Sequence, residues 1–509
     1  MHYTPTSAVW EITYACNMRC KHCGSGCGEK YPDELTGAEA LKLCDDLRTM
    51  GLKILTLSGG EPFLREDWHL IATRLTENNI TTNIISNGWY IDKSILDKAH
   101  TSGIVNIGVS LDGCEDTHDF MRKKGAFERV LSALDLMNKH RMPSVVCTTI
   151  TKKNLNELFL LKDILIQKKV QRWQLQMACP MGNLLDYPEL VLEPRNVDDI
   201  INFAYIVMQE KKIIVDLASD IGYYNLLGME IKKRLTDNKK QYIWKGCPAG
   251  KYNFGIMANG NIIGCLSIRD EKFIEGNIRE IPLKELWTRP GAFAWNRNLT
   301  KEQLTGFCGK CQYGAYCLGG CSGAKIFLSK SLYENNYCSY KLAIERETQK
   351  IDHITNCALL VYKSRSFINA QEYQLAAIYL SKALALDPEN TEAMDLLGCV
   401  NFSLGNFTAC RELNEKALQL NPHNAYAWKG LGVCVASMGN IEDGIDYLKK
   451  AIELADPGFT DPYHDLAVIF YHDNRIAEAI NILEEGFKKS DKFKEDFQEF
   501  CNLLKEKQK

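Results

Sequence analysis

Six short apolar runs alternate with helical patterns between residue 7 and about residue 178, and no other feature of this 509-residue chain limits its fold as much. The runs are Ala8–Tyr14, Lys53–Leu57, Thr81–Ser86, Val105–Leu111, Ser144–Ile150 and Arg172–Met177. Stretches of helical periodicity separate them, among them Thr36–Met50, Ala126–His140 and Leu155–Lys168. Six β-α units predict a parallel sheet curled into a partial barrel. In such sheets ligands gather at the carboxyl ends of the strands. The residues suited to chemistry follow those ends: a cysteine loop, then Gly59–Glu61, Asn87, and Ser110 with Asp112.

Cys16, Cys20 and Cys23 fall in Glu11-Ile-Thr-Tyr-Ala-Cys-Asn-Met-Arg-Cys-Lys-His-Cys23, with the spacing C-x3-C-x2-C. Three thiolates on one short loop can hold three irons of a cubane [4Fe–4S] cluster and leave the fourth open to a ligand. Clusters built only for electron transfer normally use four cysteines. A zinc site or unrelated buried thiols are the alternatives. The run Lys53-Ile-Leu-Thr-Leu57 leads into Ser58-Gly59-Gly60-Glu61-Pro62, where glycines let the backbone approach a ligand closely. Alone, this segment reads equally as a turn. Val105-Asn-Ile-Gly-Val-Ser-Leu-Asp-Gly113 reads as a strand ending in Ser110 and Asp112, or as a strand with an Asp-Gly turn. Thr82-Asn-Ile-Ile-Ser-Asn-Gly88 places Asn87 at another strand end.

Taken in this order, the segments resemble the radical S-adenosylmethionine (SAM) superfamily. The resemblance implies a partial (β/α)6 TIM barrel in which Cys16, Cys20 and Cys23 hold a SAM-binding cluster. It implies that Gly59, Gly60 and Glu61 grip the methionine amino group, that Ser110 and Asp112 face the ribose, and that Asn87 joins the same pocket. One electron from the reduced cluster then splits SAM into methionine and a 5′-deoxyadenosyl radical, which takes hydrogen from an unactivated C–H bond. No side-chain acid or base achieves that step, so the cofactor performs it while the protein positions substrate and excludes water. Oxygen sensitivity of such clusters implies an anaerobic or well-reduced host.

Seven more cysteines follow a helical connecting stretch at 194 to about 240: Cys247, Cys265, Cys308, Cys311, Cys317, Cys321 and Cys338. Their pattern is C-x12-G-x4-C around Gly260, a gap, then C-x2-C-x5-C-x3-C-x16-C. C-x2-C pairs also build zinc ribbons. The pattern resembles the SPASM extension of radical SAM enzymes, which carries two auxiliary clusters and brings the implied total to three [4Fe–4S] clusters. By that resemblance Cys308, Cys311, Cys317 and Cys338 hold the distal cluster, and Cys247, Cys265 and Cys321 hold the proximal one. The auxiliary clusters then accept the second electron as product forms. The fourth proximal ligand is left open among a non-cysteine side chain, a distant cysteine and a substrate thiolate, which cluster iron would favour as a soft ligand. Cys27, Cys44, Cys114, Cys147, Cys179 and Cys357 fit neither set. Most read as buried small hydrophobes. Cys27 and Cys114 stand near enough to the SAM motifs to be candidate hydrogen-atom donors.

From about residue 357 the chain has a 34-residue period marked by Ala383, Ala417 and Ala451 and by Pro388 and Pro422, with Pro457 one residue late. Leu397-Gly398 returns as Leu431-Gly432 and Leu466-Ala467. This is tetratricopeptide (TPR) spacing, with three clear repeats, a degenerate first one around Leu360–Pro388, and Asp491–Lys509 as a cap. Such a stack presents a concave groove, here expected to be lined by Asp395, Phe402, Tyr426, Lys429, His464 and Tyr471. The domains expected are a barrel over 1–215, connecting helices with a SPASM domain over 216–345, and an all-α TPR solenoid over 355–509.

Composition excludes several partner classes. The formal net charge is −3, and no dense Lys/Arg stripe lies beside aromatics, so no nucleic-acid partner is expected. No segment approaches the roughly 20 apolar residues of a membrane span. Met1-His-Tyr-Thr-Pro-Thr-Ser lacks a secretory signal's basic start and apolar run, which predicts a cytoplasmic location. Twenty cysteines in a large chain without a signal suit cluster ligation better than disulfides.

SPASM-bearing relatives most often modify peptides or proteins, so the resemblance implies a maturase that forms a thioether or carbon–carbon crosslink in a ribosomal peptide or protein. Flavodoxin or ferredoxin is the implied electron donor. Many such relatives carry a recognition domain before the barrel, and Cys16 stands too early for one, so the TPR groove is expected to recruit substrate. The alternatives are a sulfatase-activating oxidation of Cys or Ser, a small-molecule enzyme acting on tetrapyrroles or sugars, and an iron–sulfur scaffold without turnover.

Overall fold

The computed structural model describes residues 3–234, 244–456 and 458–508. Met1, His2, residues 235–243, Pro457 and Lys509 lie outside them, and 235–240 belong to the expected connecting stretch. Two compact units divide the chain, Met1–Leu342 and Ala343–Lys509.

In the first unit the six expected strands form within two residues of the expected bounds. They are β1 (Ser7–Thr13), β2 (Ile54–Gly59), β3 (Thr81–Ser86), β4 (Ile104–Ser110), β5 (Ser144–Ile150) and β6 (Arg172–Met177). Each pairs in parallel with the next, so their carboxyl ends share one edge. Side chains alternate across the sheet, and those facing the covering helices are fully buried: Leu55 and Leu57 on β2, Ile84 on β3, Ile107 and Val109 on β4. Burial of each such chain stabilises the fold by about 1.5–3 kcal/mol. Helix starts are set locally. Thr36 and Glu39 form a reciprocal cap for Gly37–Thr49, and Asp92 accepts from Ile95 N to start Lys93–Thr101.

Four further strands extend the sheet. The stretch expected to be helical and connecting contains the helix Asn196–Glu210, then β7 (Ile214–Leu217) parallel to β6. On the other side β8 (Asn253–Ile256) runs parallel to β1, with β9 (Asn261–Ile263) and β10 (Ile274–Asn277) antiparallel beyond it. The order β10-β9-β8-β1-β2-β3-β4-β5-β6-β7 has two free edges, so the barrel stays partial. β8 and β9 flank the Gly260 turn between Cys247 and Cys265, which joins the cysteine-rich segment to the barrel sheet.

The second unit is all helix. First helices of the pairs start 34 residues apart at Cys357, Thr391 and Ala425, and second helices at Tyr373, Phe407 and Ile441. An asparagine caps each of those first helices: Asn356, Asn390 and Asn424 accept from backbone amides of the first turn. The degenerate first repeat is therefore a complete helix pair. A fourth pair, Asp461–His472 with Ile476–Phe487, precedes the final helix Asp491–Gln508. Gly432 and Gly444 explain the small residue at the Leu-Gly position: a β-carbon on Gly432 would meet Leu448 Cγ at 2.7 Å. Among the described residues no helix is long and apolar enough to cross a membrane.

Candidate functional site

The cysteine loop starts where β1 stops and is closed by its own backbone. Cys16 N donates to Gly28 O at 2.8 Å and Gly28 N to Tyr14 O at 3.1 Å. The segment after β2 packs against the base of this loop. Gly60 N donates to Thr13 O at 2.9 Å and Glu61 N to Ala15 O at 2.8 Å. A β-carbon would fall 2.3 Å from Thr13 O at Gly59 and 2.2 Å from Ala15 O at Gly60. Close packing against the loop is thus one physical reason for glycine at both positions. What they admit is the backbone that carries the cysteines.

Glu61 is fully buried and accepts from Ser86 Oγ (2.9 Å), Asn87 N (2.8 Å) and Phe63 N (3.3 Å). Burial pushes its carboxyl up to about 7 against those three donors. It is a strut between the ends of β2 and β3. Asn87 Nδ2 donates to Asn17 Oδ1 at 2.8 Å and lies 4.0 Å from Cys16 Sγ. Asn17 Nδ2 is itself buried with no hydrogen-bond partner among the described residues.

Across the loop, Arg122 Nη1 lies 3.8 Å from Cys20 Sγ while its Nε donates to Asp112 Oδ2 at 2.5 Å. The other Asp112 oxygen accepts from Thr149 N at 2.9 Å, and His22 Nε2 is 3.2 Å from Oδ2. Burial opposes both charges, yet the pairing holds Asp112 below the usual carboxylate range and keeps Arg122 protonated. Both Asp112 oxygens are engaged by protein, and through them the carboxylate anchors Arg122 and His22. Ser110 sits half-buried at the end of β4, paired in register with Cys147.

Of the two candidate hydrogen donors, Cys27 is brought against the loop. Its thiol donates to Cys23, and that bond draws Cys23 down to about 5 while Cys27 rises. Cys114 is placed elsewhere, capping the helix Glu115–Met121 with its amide on Glu157 Oε2 at 2.8 Å. Cys16 and Cys20 are pushed up by burial, Cys20 to about 11, so ligation there displaces protons.

The seven later cysteines fall into two groups. Cys308, Cys311, Cys317 and Cys338 line one small cavity of about 20 Å³ together with Tyr223 and Asn335. Cys265 and Cys321 meet through the next segment: a β-carbon on Gly323 would touch Ser267 O at 2.9 Å and Cys321 Sγ at 3.7 Å. Ser267 N donates to Cys265 Sγ at 3.4 Å, and Cys247 lies in the same apolar cluster as Cys265. Lys325, fully buried, feels the charge of Cys247, Cys308, Cys317 and Cys321 and donates to Leu318 O at 2.8 Å.

These donor sets fit iron–sulfur clusters. All-thiol donors around a cavity suit a multi-iron group. Arg122, His22 and Asn17 escaped sequence reasoning. Arg122 stands 102 residues from Cys20 with no spacing rule to link them, whereas Asn17 adjoins Cys16 and its polar type was the available signal.

In the second unit, a cavity of about 660 Å³ is lined by Asp395, Phe402, Tyr426, Lys429 and His464 among others. Tyr471, expected there, is instead covered by the final helix: Lys507 Nζ donates to its hydroxyl at 2.6 Å and its ring meets Phe500. Lys429 Nζ pairs with Asp465 at 3.2 Å, and Asp461 adds a second carboxylate.

Comparison with known proteins agrees with this geometry. The radical SAM superfamily model matches residues 10–159, an iron–sulfur cluster-binding (SPASM) domain matches 247–312, and a tetratricopeptide repeat matches 396–459. An AdoMet-dependent heme synthase of Methanosarcina barkeri is 29% identical over 349 residues, 67% of this chain and 98% of that protein. Mycofactocin maturase MftC of Mycolicibacterium smegmatis is 26% identical over 326 residues, 64% and 79% of the two chains. Streptococcus suis SuiB bound to S-adenosylmethionine superposes with a TM-score of 0.53 at 17% identity, over 65% of this chain and 76% of that one. AnSMEcpe with bound AdoMet gives 0.53 at 18%, over 69% and 100%. The chain belongs to the radical SAM superfamily and is a radical SAM enzyme, with a SPASM-type iron–sulfur domain after its barrel and tetratricopeptide repeats beyond that.

Proposed function

We propose that this enzyme abstracts hydrogen from a ribosomal peptide or protein and forms a thioether or carbon–carbon crosslink in it. Cys16, Cys20 and Cys23 would hold the SAM-binding cluster, and the other seven cysteines two auxiliary clusters. When bound, cluster and SAM supply a one-electron cleavage that yields a carbon radical able to take hydrogen from an unactivated C–H bond. The protein's own part is positional. Arg122 fixes Cys20, Asn87 and Asn17 fix the opposite side of the loop, and Gly59–Glu61 clamp its base. Cys27 donates its hydrogen bond to Cys23 and so supports a ligand sulfur. Ser110 and Asp112, at the end of β4, would face the ribose. A flavodoxin or ferredoxin would supply electrons.

The observation that carries the substrate class is the apolar, acid-flanked groove of the repeat unit, which suits an extended peptide. The mycofactocin maturase relatives support it. In the test, anaerobically reconstituted protein is reduced in the presence of SAM, and in a separate arm the chain is co-expressed with candidate short peptides. Formation of 5′-deoxyadenosine and a mass loss of two hydrogens on a peptide are expected. SAM left uncleaved under strong reductant sinks the reading.

A second reading, modification of a tetrapyrrole, is favoured by one observation: heme synthase relatives match nearly their whole length. Chemical change of an added iron tetrapyrrole, with peptides left unaltered, would establish it in place of the first.

A further inference from the structure

The proximal group supplies three thiols, Cys247, Cys265 and Cys321, to a cluster with four irons. The loop after β7 brings a carboxylate to this group. Asp220 Oδ2 accepts from Met177 N at 2.9 Å, which fixes the side chain at the end of β6. Its other oxygen, Oδ1, is sealed from solvent and has no hydrogen-bond donor among the described residues. A buried carboxylate oxygen without a donor is costly unless something in the working protein satisfies it.

The loop's position beside the thiols is set by packing. Tyr223 OH donates to Asp220 O at 3.0 Å and accepts from Asn335 Nδ2 at 3.2 Å. The Tyr223 ring fills the space over Gly320, where a β-carbon would lie 2.4 Å from Cζ. Cys321 is the next residue, so Asp220 and Cys321 sit on two segments clamped together through one aromatic ring. The charge of Asp220 reaches both Cys265 and Cys321. Cys179 lies on the same side and is the competing candidate, since it too feels Asp220 and Cys265. Its thiol, unlike the carboxylate, is an ordinary buried small group that needs no partner.

We propose that Asp220, through Oδ1, is the fourth protein ligand of the cluster held by Cys247, Cys265 and Cys321. This assignment rests on the cluster reading above. It leaves that cluster closed to substrate, so its role is electron transfer.

The test uses the full chain with Cys16→Ala, Cys20→Ala and Cys23→Ala, so that only auxiliary clusters contribute signal. After anaerobic reconstitution and reduction, electron paramagnetic resonance is recorded with and without cyanide, a probe for an open iron. The parent signal should ignore cyanide. Asp220→Ala should keep its iron and sulfide but gain a cyanide-dependent signal. Asp220→Asn, which still accepts from Met177 N, should do the same if the alanine variant fails to fold. Asp220→Cys should be insensitive again. A cyanide response in the parent overturns the assignment, as does an Asp220→Asn protein that stays insensitive, or a response created by Cys179→Ser instead. A parent that takes up no iron and sulfide overturns the cluster reading and this assignment with it.

Discussion

A β-carbon at residue 60 would lie 2.2 Å from one backbone oxygen and 2.7 Å from another, both on the segment leading into Cys16. Neither atom belongs to a flexible side chain, so no local rotamer change relieves the clash. Gly60→Ala should therefore displace the cysteine loop while leaving the sheet paired. The expected result is a folded barrel with reconstituted iron reduced by about one cluster per chain and no SAM cleavage, checked by iron analysis and circular dichroism. Gly51→Ala is the control. Its φ is 75°, but nothing lies within 4 Å of the added carbon, so it costs only about 1 kcal/mol and should retain cluster and activity. Full activity in Gly60→Ala would show that the loop does not depend on this contact. The same scale explains why motif reading succeeded in part. Glu61 and Asp112 were singled out through the family-like motifs at their strand ends. Sequence order does not say which way a carboxylate turns, and both turn toward protein partners.

At the scale of elements, long periodic runs were legible and short strands were not. β1 to β6 carry six or seven residues each, enough for alternation to show. β7, β8, β9 and β10 have only three or four, and they acquire strand geometry from the sheet edge they join. In the repeat unit the 34-residue period was plain, while the Asn caps that make it work were not read. One of these caps links neighbouring pairs: Asn424 Nδ2 donates to both oxygens of Asp395, at 3.1 and 2.9 Å, while its own oxygen caps Ala425–Ser437. Burial raises Asp395 from 3.8 to about 6, and the Asn424 bond only partly offsets it. A carboxyl raised on folding favours the protonated native state. Its contribution is thus fully present below about pH 4 and lost as pH climbs through 6. Asp395→Asn keeps an acceptor for Asn424 and removes the charge. It should stabilise the protein at pH 7 by on the order of 2 kcal/mol and by nothing near pH 4, read from paired denaturant titrations. An equal gain at both pH values would mean that charge burial is not the cause.

For the whole molecule the question is whether the repeat unit serves the radical chemistry or only the choice of substrate. The groove separates the two because its residues share no position with the cysteine groups. Tyr426 is 57% exposed and holds its ring against Phe459 at 4.0 Å, so removing it leaves the helix core intact. Lys429 is different. Changed alone, it would strand the Asp465 carboxylate with which it pairs at 3.2 Å, and a lost partner for a part-buried charge mixes a folding defect with a binding one. Replacing both members, Lys429→Gln with Asp465→Asn, removes the charges together and is close to neutral for stability. Combined with Tyr426→Ala, it should lower kcat/KM for peptide modification at least about tenfold, or roughly 1.4 kcal/mol of recognition. Formation of 5′-deoxyadenosine without peptide should stay at the parent rate. If both activities fell together, the repeats would be supporting the catalytic unit itself. If neither fell, the peptide would be recognised outside the groove, and the tetrapyrrole reading would gain at the expense of the maturase one.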